Sequence, residues 1–330
     1  MPNGSGTSVV PSDRAAAVAF DRPLLLTPGQ DLAGWIGRIA GKALLTLVAC
    51  TSVAVVLLIF LFIIREAWPF FAQRGFGRLF TSSGWYPEAE PREFGALALL
   101  YGSLVVTLGA LVIAAPVGLL AAVFLSDIVP FRFRQIIKPV IEILAAVPSV
   151  AYGFFAILVV APWLQEHFGL PTGTNALNAA IMLAIMAIPT IVSISEDALT
   201  AIGRELREGA YALGATRAEV LLKVIIPAAH SGIMAAMILG MMRAIGETMV
   251  VWMAAGNASH IPAPWWDLTQ AVRTMTATIA GDMGECERGG IHYHALFVIG
   301  LMLLTMTFVL NLGSEYFLAR AKRIARGAAR

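Results

Sequence analysis

The chain has 330 residues, of which 58% are hydrophobic and only 13% charged, and its mean hydropathy is +0.78. Soluble domains are about a quarter charged, so this chain has too little polar surface to stay dissolved, and lipid is its natural solvent. A net charge of +2, with basic residues scattered over short segments, gives no reason to expect nucleic acid. Two distant cysteines exclude a disulfide framework; Cys50, in an apolar run, reads as a buried thiol and Cys286, in a loop, as an incidental one.

A bilayer core takes about 20 apolar residues per helix, and six stretches meet that length. Residues 1–42, rich in Ser, Gly, Pro and Asp, read as a mobile tail. The first span is expected over Ala43–Ile64. It is too long for a signal-peptide core, and Arg65-Glu66-Ala67-Trp68-Pro69 is no cleavage site, so it should remain as an anchor. The second, Ala96–Leu125, is over-long and is accommodated by tilt or by a bend near Pro116. The third, Pro139–Val160, is interrupted at Pro148-Ser149, which frees backbone groups at membrane depth. Ser149 there either lines a pore or marks a plain kink. Lys138 and Glu142, one turn apart, read as a surface pair. The fourth span is expected over Ala176–Ile194.

The loop from about 202 to 227 is the most informative segment. Residues up to Leu213 favour a helix, and Gly214 suits a left-handed stop. Thr216 with Glu219 forms a capping box that opens a second helix, and Pro227 punctuates the approach to span five. Tyr211, Ala212 and Leu213 give this helix-turn-helix an apolar tip, rimmed by Arg204, Arg207 and Glu208. Such a tip fits a helix-in-groove contact with a partner; a mere connector is the plainer reading.

Span five, Ser231–Ala255, carries Arg243 near its middle and Glu247 one turn on. An arginine at the bilayer centre costs about 2.5–3.5 kcal/mol on insertion scales, so it must face protein or water. Gly246 between the two thins the helix and would let a neighbouring backbone or ligand come close. Two readings stand: an internal Arg243–Glu247 bridge that fixes packing, or a guanidinium fork that meets an oxyanion in transit while Glu247 neutralises it at rest. Thr248 follows on the same segment. His292 and His294 lie just before span six, Ala295–Leu318, but an i,i+2 pair in a loop fixes no metal geometry, and no metal site is expected. Residues 319–330 form a basic tail. No Ser–His or Cys–His pair is anchored for hydrolysis, so the chain is not expected to be an enzyme.

With the N-terminus inside, the inner segments carry 16 Lys and Arg and the outer segments 6, with Arg243 between them. That bias puts both termini in the cytoplasm and the 202–227 loop with them.

The spacing Glu208-Gly209-Ala210, Gly214, Val224-x-Ile226-Pro227 resembles the EAA loop of ABC importer permeases, departing at Gly209, Val224 and Ile226 by small apolar changes. In that family the loop docks into the ATPase subunit, which assigns the contact to Glu208, Gly209, Ala210, Tyr211, Leu213, Gly214 and Pro227. No Walker motif occurs, since Gly41-Lys42 lacks the upstream glycine and is followed by Ala43; ATP and Mg would be bound by the partner. The stretch Arg243-Ala244-Ile245-Gly246-Glu247-Thr248-Met249 resembles phosphate permeases of the PstC type. So do Gly84-Trp85-x-Pro87 with Phe94-Gly95, Val147-Pro148-Ser149-x-x-Tyr152-Gly153, and Thr274-x-Thr276-Ala277-Thr278.

The resemblance spans residues 84–318 and implies an all-α, MetI-like permease core in the bacterial inner membrane, preceded by one extra N-terminal helix. It implies half of an ATP-driven pore for inorganic phosphate, with Arg243, Glu247, Thr248 and Ser149 along the substrate path. The implied partners are a second, PstA-like permease, a cytoplasmic ATPase dimer and an external phosphate-binding protein. A sulfate or molybdate permease shares the Arg-Ala-(Leu/Ile)-Gly-Glu core, and an ATP-independent anion transporter or channel is the rival from another class.

Overall fold

The computed structural model describes residues 28–82 and 84–328; the tail before residue 28 lies outside them. Residues 28–42, expected in that tail, are instead the start of α1 (Pro28–Arg74). Residues up to Ile59 form one unit and residues 60–330 the other. In the first, the apolar side chains of α1 face outward, Cys50 included. The thiol expected to be buried therefore lies on the helix surface, because hydropathy cannot tell burial in lipid from burial in protein.

In the second unit α1 ends at Arg74 and is followed by α2 (Arg78–Thr81) and a two-stranded antiparallel hairpin, β1 (Trp85–Tyr86) against β2 (Glu93–Phe94), with Trp85 opposite Phe94. α3 (Ala96–Val123) continues unbroken past Pro116 and widens into a π-turn over Phe124–Ile128. The expected third span divides. α4 (Phe131–Ala146) is a separate amphipathic helix, and the membrane-length segment starts only at α5 (Ser149–Phe155), continuing through a π-turn (Ala156–Val160) into α6 (Ala161–Phe168). Pro148 has no N–H to give and pushes Val147 out of helical geometry, to ψ 131°.

α7 (Ala176–Thr200) is the central helix, more enclosed than any other candidate span. Its Met182, Leu183, Met186 and Ile191 pack against Val106, Ala110 and Ala114 of α3. Asn175 caps its start, and the buried Asn178 amide donates to the Ala156 carbonyl, at the π-turn, and to Gly173. The amide nitrogen is thus paired, as burial demands, while the Asn178 Oδ1 is buried with no partner among the described residues. Then come α8 (Arg204–Ala212), α9 (Arg217–Glu219), a π-segment (Val220–Ile225) and α10 (Ile226–Ile245). α11 (Met249–Ala254), α12 (Met275–Asp282) and α13 (Ile291–Ala328) complete the chain. Among the described residues, six helical segments are long and apolar enough to cross a membrane, the number expected.

Candidate functional site

The 202–227 loop folds as its local chemistry dictates. Gly214 sits at φ +85°, a conformation that costs an L-residue about 1–2 kcal/mol. Its N–H donates to Tyr211 O at 2.9 Å and the Ala215 N–H to Ala210 O at 3.2 Å, the two bonds of a Schellman stop. The Thr216–Glu219 capping box is complete, with Thr216 Oγ1 accepting from Glu219 N and Glu219 Oε2 accepting from Thr216 N. Ala210 faces the core, whereas Tyr211 is 46% and Leu213 90% exposed. Glu208 and Gly209 are exposed beside them. Arg207 points the other way: it pairs with Asp127 in the π-turn after α3 and donates to Leu199 O near the end of α7 at 3.2 Å. Sequence reading placed Arg207 on the rim of the tip; its contacts make it the clamp between α8 and two membrane helices. Pro227 is exposed and does not break the helix, because the π-segment before it widens the turn that would otherwise clash with its ring.

Span five differs from the expectation. α10 ends at Ile245, so Arg243 lies in its last turn, and Gly246, Glu247 and Thr248 form a break before α11. With the helix ended, the i,i+4 geometry is lost, and among the described residues no ion pair joins Arg243 to Glu247. Gly246 brings no neighbour close either: a Cβ there would meet only its own chain's Met242 O at 3.4 Å and Arg243 O at 3.9 Å.

Arg243 Nη2 instead donates to Ala145 O at 2.8 Å, in the last turn of α4. The Val147-Pro148 break strips α4 of its following N–H donors, leaving carbonyls and the negative end of the helix dipole. Tyr152 Oη takes Leu144 O at 2.9 Å and Arg243 takes Ala145 O. The two broken helices thus stand side by side. Beyond the break, Met253 packs on Gly153 so closely that a Cβ there would sit 2.4 Å from its Sδ.

Arg243 is exposed and Ser149, Glu247 and Thr248 are half-buried. Glu247 Oε1 accepts from its neighbour's Thr248 N–H at 3.2 Å, and its backbone carbonyl accepts from Thr276 Oγ1 at 2.8 Å. The Thr274-x-Thr276 segment is thereby explained: Thr274 caps α12 and Thr276 pins the break. A guanidinium has five N–H donors, and the Ala145 bond is the hydrogen bond seen for it. The arrangement can hold an oxyanion by its remaining donors without first separating a salt bridge.

Three other groups were not foreseen or were misread. Lys138 does not pair with Glu142; it reaches Glu196 at 2.8 Å and also Asp197, while Arg134 joins Glu196, which is 1% exposed. A buried carboxylate needs cations more than an exposed one does, and that draws Lys138 across to α7. Near the hairpin, Asp282 accepts from Trp85 Nε1 at 3.0 Å, pairs with Arg273 and lies 3.2 Å from His292 Nε2. Burial alone would raise the Asp282 carboxyl, but the His292 and Trp85 hydrogen bonds and the Arg273 charge outweigh it and hold it below the ordinary value. His294 Nδ1 faces Glu66 O at 2.7 Å, so the two histidines serve different partners.

Residues 114–323 match the family described as "Binding-protein-dependent transport system inner membrane component". The chain is similar to the "Probable ABC transporter permease protein YqgH" of Bacillus subtilis, with 35% identity over 289 residues, 87% of this chain and 93% of that one. It is 35% identical over 297 residues to the "Phosphate transport system permease protein PstC" of Mesorhizobium japonicum, covering 84% and 87% of the two chains. The protein of the same name from Pasteurella multocida is 32% identical over 276 residues, with coverage of 78% and 84%.

Proposed function

The chain belongs to the family of binding-protein-dependent transport system inner membrane components, and from that premise we propose that this MetI-like ABC permease forms half of a pore for inorganic phosphate. The observation that carries the cargo reading is Arg243, an exposed guanidinium held at a junction of two helix breaks by one backbone carbonyl. A neutral carbonyl is surrendered to an incoming anion more readily than a carboxylate would be. Glu247, close in sequence, keeps the site from becoming so positive that the anion cannot leave. Ser149 and Thr248 supply polar groups along the same path. The similarity to proteins named for phosphate transport supports phosphate over sulfate or molybdate.

In this reading both termini are cytoplasmic, the membrane is the bacterial inner membrane, and a second, PstA-like permease covers the Arg243 face. An ATPase dimer, which binds the ATP and Mg, docks on Tyr211, Leu213 and the Glu208–Ala210 segment of α8. An external phosphate-binding protein delivers the cargo. ATP-driven closure displaces α8, the Arg207 clamp passes the motion to α3 and α7, and the pore turns from inward- to outward-facing. The test is uptake of labelled phosphate by the reconstituted complex. Vanadate-sensitive uptake that a large excess of sulfate or molybdate leaves unchanged is expected. Vanadate-sensitive uptake of sulfate or molybdate in preference would reassign the cargo, and vanadate-insensitive uptake would remove the ATP-coupled reading.

A further inference from the structure

We propose that the corner where α1, α2, α3 and α13 meet is a binding site for one anionic phospholipid, with its headgroup on Arg74 and Arg92 and one acyl chain along α13. Two hollows share the wall formed by α2. One, of ≈ 380 Å³, is polar and lined by Arg74, Thr81, Ser82, Arg92, Glu93 and Phe94. The other, of ≈ 480 Å³, is a groove lined by Phe71, Phe80, Leu100, Leu301, Met306 and Leu310, among others that are nearly all apolar.

The polar hollow has the chemistry of an anion seat. Arg74 is half-buried, its guanidinium carbon 5.7 Å from the centre of the Phe94 ring. Among the described residues, neither Arg74 nor Arg92 has a carboxylate within ion-pair distance. Glu93 also lines the hollow, but its Oε2 is engaged by Ser82 Oγ at 3.0 Å. Two arginines against one occupied carboxylate leave the hollow net positive, and basic groups at a membrane surface attract anionic lipid by about 1 kcal/mol each.

The groove fixes the rest of the ligand. Its α13 wall runs from Val298 to Leu310, about 18 Å at 1.5 Å per residue. One leaflet of hydrocarbon is about 15 Å thick, so the groove has the length of an acyl chain. A partner's apolar helix laid in the groove would leave the positive polar hollow unanswered, whereas one phospholipid fills both. A free phosphate ion would fill the polar hollow and leave the groove without an occupant. The site is independent of the cargo proposed above.

The test is native mass spectrometry of the detergent-purified transporter complex titrated with phosphatidylglycerol or with phosphatidylethanolamine of the same acyl chains. We expect one tightly held phosphatidylglycerol per copy of this chain, preferred about tenfold or more from two arginines. Arg74→Gln/Arg92→Gln should erase the preference, and Leu301→Trp, which fills the groove, should reduce retention of both lipids. Equal retention of the two lipids by the native protein, or a preference that survives in the double variant, overturns the proposal. So does displacement of the lipid by millimolar inorganic phosphate, which would make the hollow a free-anion site.

Discussion

Replacing Arg243 and Glu247 singly and together separates a transport role from a packing role, and the structure supplies the expected sizes. Arg243 makes one charge-assisted hydrogen bond, to Ala145 O at 2.8 Å. Such bonds contribute about 1.5–3 kcal/mol, and the exposure of Arg243 in this chain places it at the lower end. Arg243→Ala should therefore destabilise the lipid-embedded subunit by about 1.5 kcal/mol, roughly the stabilisation of one charged hydrogen bond. Glu247→Ala removes a carboxylate that holds only its neighbour's N–H, and should cost less. Because no ion pair among the described residues joins the two side chains and they share no hydrogen-bond partner, their effects on stability should add to within about 0.5 kcal/mol. Phosphate uptake should behave differently: Arg243→Ala should lose it, Arg243→Lys should reduce it for want of the planar fork, and the double variant should not regain it. The assays are thermal unfolding in nanodiscs and labelled phosphate uptake by the assembled complex. A coupling energy above about 1 kcal/mol, the size expected of groups in contact, would show that the carboxylate is the real partner. Full uptake by the double variant would return Arg243 to packing alone.

Gly214→Val should uncouple uptake from ATP hydrolysis while the chain still inserts. No atom lies within 4 Å of an added Cβ, so the damage is the left-handed backbone alone, about 1–2 kcal/mol for an L-residue and more for a β-branched one; full uptake would refute the coupling assignment. Arg207→Ala should weaken coupling as Asp127→Ala does, at about 1 kcal/mol for a partly exposed pair. The exchanged pair Arg207→Asp/Asp127→Arg should recover part of it, the Leu199 O bond being lost; identical defects in single and exchanged variants would disprove the clamp. In sealed cells, impermeant thiol reagents should label cysteines placed at 258–290 and miss those at 202–226, and labelling of the latter inverts the topology. The depressed Asp282 carboxyl stabilises the fold fully above its ordinary value of 3.8 and loses that contribution as pH falls through the lower folded value. Asp282→Asn should therefore unfold more readily at pH 6 and flatten the acid limb of the stability profile, and an unchanged limb would remove the linkage.

The parts of this molecule that are legible in its sequence are those set by neighbours in the chain. The Gly214 stop and the Thr216–Glu219 box need only residues three to five apart, and both formed as their chemistry required. The number of spans follows from hydropathy alone. What depended on distant residues was not legible. The partner of Arg243 is 98 positions away, and it became an acceptor only because Pro148 ended α4. Lys138 faced a nearby Glu142 in sequence and a buried Glu196 in space, and burial decided between them. The Asp282 cluster joins residues from the hairpin, the loop before α12 and the start of α13, and no single stretch announces it.

The 202–227 loop and the Arg243 junction occupy opposite ends of one helical segment, Arg217–Ile245. That segment is about 42 Å long at 1.5 Å per residue. Tilting such a rod by about 5° about its capped end carries the far end sideways by about 4 Å, simple lever geometry on the same helix. The Arg243–Ala145 bond is 2.8 Å long, and hydrogen bonds weaken steeply beyond about 3.2 Å. A small tilt about the end next to α8 and α9, with α4 held still, is therefore enough to release the guanidinium from α4. The π-segment Val220–Ile225 and Pro227 lie at the base of the rod, where an irregular turn yields most easily. On the proposed reading, the yielding turn beside the 202–227 loop and the breakable bond at the far end would convert a movement of α8 into a change at Arg243, with the helix between them left intact.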